Sequence, residues 1–441
     1  MPRLPSPLLA AFDRSWRMKT LPNGLRVAHI PLERDERFYL GATVRAGARY
    51  EPATRSGLSH FLEHMMFRGS RNYPSFPLLA KAFEWLGGEW NAATGYEHTE
   101  YWYSGHRRTA GDTIGLFHEF LAHPRLLDIE TERDIVKREL MKELNEYGHS
   151  TDLDHHSLAQ MWPGSSLARP ILGDAATIGR FTKADLERYR ASYYLPSNMV
   201  ICAIGGSDED GVLAKLEKGF AGYSVPGQGR APSTPPDVTM FRGPKIKWVN
   251  HSDNEYQIQM SFPTVGEWDP AALGVQMLCR ILGDGFSSRL ASHLREKLGL
   301  VYEVDATASL MSDVGSVDIN ANVGPKELVV FFRELLGQLE KLVRSGPTAE
   351  EIERTQRRSL MDLELGPSDP ESLSYRFGWA LLMGRKPSLA KVATRLDGVN
   401  RAGLHKLAGR IFRRSRLSLV VLGPENAPLS KKVNELIRAA L

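Results

Sequence analysis

The chain has 441 residues, enough to bury large cores without covalent staples. Apolar residues make up 42% and charged residues 24%, an ordinary globular balance that excludes a disordered or fibrous chain. Fifty-six Lys and Arg against 52 Asp and Glu leave +4, too mild for a nucleic-acid partner, and no apolar run is long enough to span a bilayer.

The first residues, MPRLPSPLLAAFDRSW, form a short apolar patch broken by prolines, with no cleavage signal. No signal peptide is expected, and the expected compartment is the cytoplasm. A strand pair is predicted around Leu25–Pro31 and Leu40–Ala46, followed by a helix from about Gly57. Residues 88–104 alternate as a strand does, with Trp90, Ala92, Tyr101 and Tyr103 as its apolar members. Apolar residues at three- and four-residue steps predict helices over 110–122, 130–147, 181–192 and 327–344. Residues 225–243, rich in Pro, Gly and Ser/Thr, read as a linker. It separates an N-terminal domain, 1–224, from a C-terminal domain, 244–441.

The two halves run in parallel. Met199–Gly205 and Leu417–Gly423 are apolar strands closing on glycine, each followed by a short helix. Gln257–Pro263 leads to a helix near Gly274, as the first strand pair leads to Gly57. Gly57 and Gly274 lie 217 residues apart, and Gly205 and Gly423 lie 218 apart. An internal duplication of one α+β unit is therefore expected, each unit a mixed, mainly antiparallel sheet with helices on one face. Cys202 and Cys279 sit in apolar runs and read as buried free thiols.

The chemistry concentrates in His60-Phe61-Leu62-Glu63-His64. On a helix, residues four apart lie one turn apart on one face, so His60 and His64 can converge on one zinc ion. Glu63 lies beside that face, where its carboxylate can take a proton from the attacking water and pass it to the leaving amine. Phe61 and Leu62 point away and are free to pack. A third ligand is sought in the acid-rich helix that follows. Glu132 and Glu139 are seven apart and face nearly the same way, so one can hold metal while the other supports a histidine from behind. Composition alone leaves Glu132, Glu139 and Glu143 open.

These motifs continue in order through MMFRGS, Gly87-Gly88, Asn91-Ala92-Ala93-Thr94, Glu97-His98-Thr99, Tyr101, Glu132 with Glu139, and Trp162-Pro163. They resume at Phe286-Ser287-Ser288-Arg289-Leu290 and Leu294-Arg295-Glu296-Lys297-Leu298-Gly299-Leu300-Val301-Tyr302. The series resembles the inverzincins, the family of pitrilysin, insulin-degrading enzyme and the mitochondrial processing peptidase, over nearly the whole chain. The resemblance implies a zinc endopeptidase or oligopeptidase, with one Zn2+ per chain held by His60, His64 and Glu139. Glu63 is then the base, and Glu132 supports a ligand. Arg295 and Tyr302 bind the substrate backbone and steady the oxyanion. The sequence departs from the family at Ser70 and at Ser165-Ser166, neither of which falls on a ligand.

At the 217-residue offset, His60, Glu63 and His64 correspond to Met277, Arg280 and Ile281, so no second zinc site is expected. Members of the family with a single chain hold four α+β units in a clamshell; this chain has two and so resembles half of one. A homodimer is expected, each metal site facing the Arg295/Tyr302 region of the other copy. The alternatives are a heterodimer with an inactive homologue, or a non-catalytic structural subunit. Asn91 and Ala92 would lie on a sheet edge and pair with an extended peptide, so short or unfolded peptides are the expected substrates. Relatives occur on both sides of the bacterial inner membrane, which keeps the periplasm open.

Overall fold

The structure, a computed structural model, describes residues 7–32, 35–207, 211–226, 238–239 and 241–440. Most of the expected 225–243 linker lies outside the described residues. The strands of the first half are β1 (Arg17–Thr20), β2 (Arg26–Ile30), β3 (Arg37–Val44), β4 (Glu89–Thr94), β5 (Thr99–His106) and β6 (Met199–Ile204). They form one sheet in the order β1-β2-β6-β3-β5-β4. All neighbours are antiparallel except β2 and β6. The stretch expected as one strand over 88–104 is instead the β4–β5 hairpin. Gly95 donates to the His98 carbonyl at 2.8 Å, so the run of alternating residues turns back on itself.

The strands of the second half are β7 (Lys245–Asn250), β8 (Tyr256–Val265), β9 (Val301–Leu310), β10 (Val314–Val323) and β11 (Ser418–Gly423). Their order, β7-β11-β8-β10-β9, repeats β2-β6-β3-β5-β4 strand for strand. Only the first pair is parallel here as well. The duplication read from two glycine spacings is thus a repeat of topology. Each sheet has its own apolar core. Phe38, Leu40, Ala42 and Val44 of β3 meet Phe61, Leu62, Phe117 and Phe120 in one, and Ile258, Met260 and Phe262 of β8 meet Leu278, Ile281 and Phe332 in the other. Cys202 and Cys279 are buried and free, as expected.

The opposite faces of the sheets are covered too. The expectation of helices on one face describes only the helices supplied by a sheet's own half. The helix Pro370–Leu382, from the second half of the chain, lies on β3 and β6 of the first sheet. The helix Leu153–Met161, from the first half, lies on β8 and β11 of the second. The exchange obeys the 217-residue repeat. Asp152 and Asp369 are the N-caps of these helices, and Ser157 and Ser374 make their buried bonds to the sheets below, to Gln259 at 2.7 Å and Glu100 at 3.0 Å. The compact units are accordingly discontinuous. One takes Met1–Leu140, Arg169–Pro235 and Met361–Ala393; the other takes Met141–Ala168, Pro236–Leu360 and Thr394–Leu441.

Candidate metal centre

The motif helix spans Leu58–Met66 and starts at Gly57, whose φ of 89° is left-handed backbone. A side chain there would be strained, and its Cβ would stand 2.5 Å from the Leu172 carbonyl oxygen. Leu58, Phe61, Leu62, Met65 and Met66 are buried in the core, which fixes the helix by its apolar side. His60, Glu63 and His64 occupy the remaining face. The first turn is held from outside: the buried Glu51 carboxylate accepts the Gly57 and Ser59 N–H groups at 2.7 and 2.6 Å, and Ser59 Oγ meets the Tyr189 hydroxyl at 2.7 Å. Burial pushes the Glu51 carboxyl up to about 7 despite these bonds.

Glu139 comes from the helix Ile129–Lys142, which ends five residues before the predicted 147. Its Oε1 lies 3.7 Å from His60 Nε2 and its Oε2 3.4 Å from His64 Nε2. Glu132, one face and two turns back, takes a different place: its Oε1 meets His64 Nδ1 at 2.8 Å, and Arg68 approaches its Oε2 at 3.5 Å. That contact orients the His64 ring from its Nδ1 side and turns Nε2 toward Glu139. Glu143 is absent from this group. Thr94 of β4 donates to Glu63 Oε2 at 2.5 Å, tying the edge strand to the helix.

Burial holds the His60 pKa down, aided by His64 and only partly opposed by Glu139 and Glu132, so its ring is neutral. Burial also acts against charge on His64, but the Glu132 bond and the nearby Glu139 and Glu63 carboxylates outweigh it and hold its pKa well up. Burial raises Glu63 as well, against the Thr94 bond and the His64 charge. A neutral imidazole, a carboxylate and a ring that keeps a proton only because three acids surround it form a site that wants a cation.

The donor set fits a divalent ion. The ligand atoms of His60, His64 and Glu139 lie within 4.8 Å of one another, the one such group among the described residues. Separations of 3.4 and 3.7 Å are long for hydrogen bonds. They match the edge of a tetrahedron with metal bonds of about 2.0–2.1 Å, roughly 3.4 Å. At the corresponding helix of the second half, Ala272–Gly283, Met277 and Ile281 are buried in the core.

The other expected residues stand elsewhere. Asn91 and Ala92 lie on β4, which pairs only with β5, so its outer edge carries no strand among the described residues. Arg295 lies on a π-helical turn, Ala291–Lys297, and Tyr302 on β9, the edge strand of the second sheet. Tyr302 is 83% exposed. The Arg295 guanidinium sits between two rings, 4.8 Å from the Phe286 centroid and 5.1 Å from that of Tyr302. Sequence reasoning assigned no role to Thr94, Phe286, Arg68 or Glu51. Thr94 and Phe286 stand inside quoted motifs, whereas an acid six residues ahead of a helix start carries no local pattern.

A duplicated α+β chain with two histidines and a glutamate on one helix, met by a glutamate from a later helix, defines the class: the inverted-motif metallopeptidase architecture. Residues 26–175 match the family described as insulinase (peptidase family M16), and residues 180–359 match the peptidase M16 inactive domain. A Mycobacterium bovis protein named as an uncharacterized zinc protease is 29% identical over 439 residues, covering 98% of each chain. A protease from Helicobacter pylori has a similar fold, with TM-score 0.85, 20% identity and coverage of 93% and 99%. The periplasmic protease PqqL from Escherichia coli has TM-score 0.77 at 18% identity, and the match covers 97% of this chain but 50% of PqqL. The chain belongs to peptidase family M16.

Proposed function

We propose that this chain is a zinc-dependent endopeptidase or oligopeptidase acting on short or unfolded peptides. The convergence of His60, His64 and Glu139 beside a buried Glu63 carries this reading. When bound there, zinc supplies a Lewis acid that polarises the scissile carbonyl and acidifies water. Glu63 accepts the proton of the attacking water and returns it to the leaving amine; its raised pKa suits it to both transfers. Thr94 keeps one oxygen of Glu63 occupied, which aims the other. Glu132 orients His64. A substrate strand pairs with the free edge of β4 beside Asn91 and Ala92.

Arg295 and Tyr302 complete the machinery by donating to the developing oxyanion. In this reading they come from a second copy of the chain, giving a homodimer with two composite sites. The half-length match to PqqL supports it, since that single chain has room for two such pieces. The test is zinc quantification per chain with cleavage of a quenched peptide. About one zinc per chain is expected, with cleavage abolished by a chelator and restored by zinc. A protein that takes up no zinc and cleaves no peptide would be the non-catalytic subunit instead.

A further inference from the structure

A helix's first N–H groups have no partner within the helix, and a Ser, Thr, Asp or Asn at the N-cap usually takes one of them. The motif helix has Gly57 at this position and no side-chain cap of its own. Glu51 takes its place from outside the helix. Its two oxygens accept two different N–H groups of one turn, Gly57 at 2.7 Å and Ser59 at 2.6 Å. A single bond would leave the helix free to pivot, whereas two set both its axial position and its rotation. The negative charge also lies at the positive end of the helix dipole. Ser59, the residue before His60, is pinned a second time by Tyr189 through its hydroxyl. Arg169 donates to the Glu51 carbonyl at 3.0 Å, so the anchor is itself anchored.

We propose that Glu51, with Tyr189, is a positioning residue for the metal centre: it sets the rotation of the Leu58–Met66 helix so that His60 and His64 both present Nε2 to Glu139. The inference rests on the reading of that trio as a metal site. Side-chain tips stand roughly 5–6 Å from a helix axis, so a turn of about 10° moves a ligand atom by about 1 Å. A metal site tolerates about 0.5 Å. A cap that served stability alone would have no reason to act on the ligands.

The test compares wild type with Glu51→Gln, Glu51→Asp and Tyr189→Phe. It measures zinc affinity by competition with a chromophoric chelator, the visible spectrum of the cobalt-substituted protein, kcat and KM, and unfolding of the metal-free protein. Glu51→Gln keeps one acceptor and turns an amide N–H2 toward the other backbone N–H. It is expected to weaken zinc at least about 10-fold, to alter the cobalt bands, and to lower kcat more than it changes KM. Glu51→Asp, which keeps the charge, is expected to recover part of each. Zinc affinity and cobalt bands equal to wild type, with only metal-free stability reduced, would overturn the inference. If Glu51→Gln does not fold, Tyr189→Phe decides: a smaller change in the same direction supports the anchor, and an unchanged cobalt spectrum overturns it. A wild type that takes up no zinc would sink the metallopeptidase reading, whereas one that binds and cleaves beside an unaltered Glu51→Gln would sink this inference alone.

Discussion

Glu63 and Glu139 are both carboxylates beside the same pair of imidazoles, yet they are expected to fail differently when neutralised. Glu63 lies outside the converging trio and is held by Thr94. Glu63→Gln is therefore expected to keep its zinc and to lose about 10²–10⁴ in kcat, read from metal analysis and turnover on one sample. A variant retaining wild-type rate would remove Glu63 from the role of base. Glu139 faces both Nε2 atoms, so Glu139→Gln is expected to lose zinc itself in a chelator competition. Glu132→Gln should give the intermediate result, about 10–100-fold weaker metal, because it acts on His64 from behind. The helical period was sufficient to put His60, Glu63 and His64 on one face from sequence. It was not sufficient to rank Glu132, Glu139 and Glu143, since which of them meets the rings depends on how two helices cross, a tertiary matter. Resemblance supplied that choice.

At the scale of elements, the sheet strands beneath the exchanged helices carry buried polar groups, Glu100 and Gln259 among them, beside apolar residues. Gly41 of β3 makes room for Ser374: a Cβ there would stand 2.0 Å from Ser374 Oγ. Gly41→Ala is expected to destabilise the protein by about 1–3 kcal/mol, measured by denaturant unfolding. Beside it lies Glu100, which burial pushes up to about 7 against its bond from Ser374. Asp318 occupies the equivalent place in the second sheet, opposite Ser261 as Glu100 is opposite Thr43, and burial raises it too. For Glu100 the folded pKa exceeds the unfolded value, so the folded state binds more protons between about pH 4.5 and 7. The stability it lends is present below that window and is lost as pH rises through it. Glu100→Gln should therefore flatten the fall in unfolding free energy across this window relative to wild type, by up to about 3 kcal/mol. Identical pH slopes would refute the shift. The strands themselves were legible because β3, β6, β8 and β11 are apolar runs with clear ends. The β4–β5 turn was not read, because Gly95-Tyr96-Glu97-His98 lacks a tight-turn dipeptide; the one signal was a change of phase, with Trp90 and Ala92 at even positions and Tyr101 and Tyr103 at odd ones. Which sheet a helix covers was not legible at all: amphipathicity reveals that a helix has an apolar side, not whose surface that side meets.

For the whole molecule, the composite-site reading predicts complementation between two inactive variants. Glu63→Gln chains mixed with Arg295→Ala/Tyr302→Ala chains are expected to regain up to about a quarter of the wild-type peptidase activity after subunit exchange, since random mixing makes half the dimers hybrid and each hybrid has one intact site. Exchange proven by mass measurement without recovery would place each site within one chain. The exchanged helices have a further consequence, for ancestry and engineering. Each half of the gene encodes a part that only the other half's sheet can use, so a crossover between relatives at the midpoint would unite sheets with ill-matched covers. Chimeras should survive when residues 153–161 travel with the second sheet and 370–382 with the first, and lineages should show those short segments inherited in step with their distant hosts.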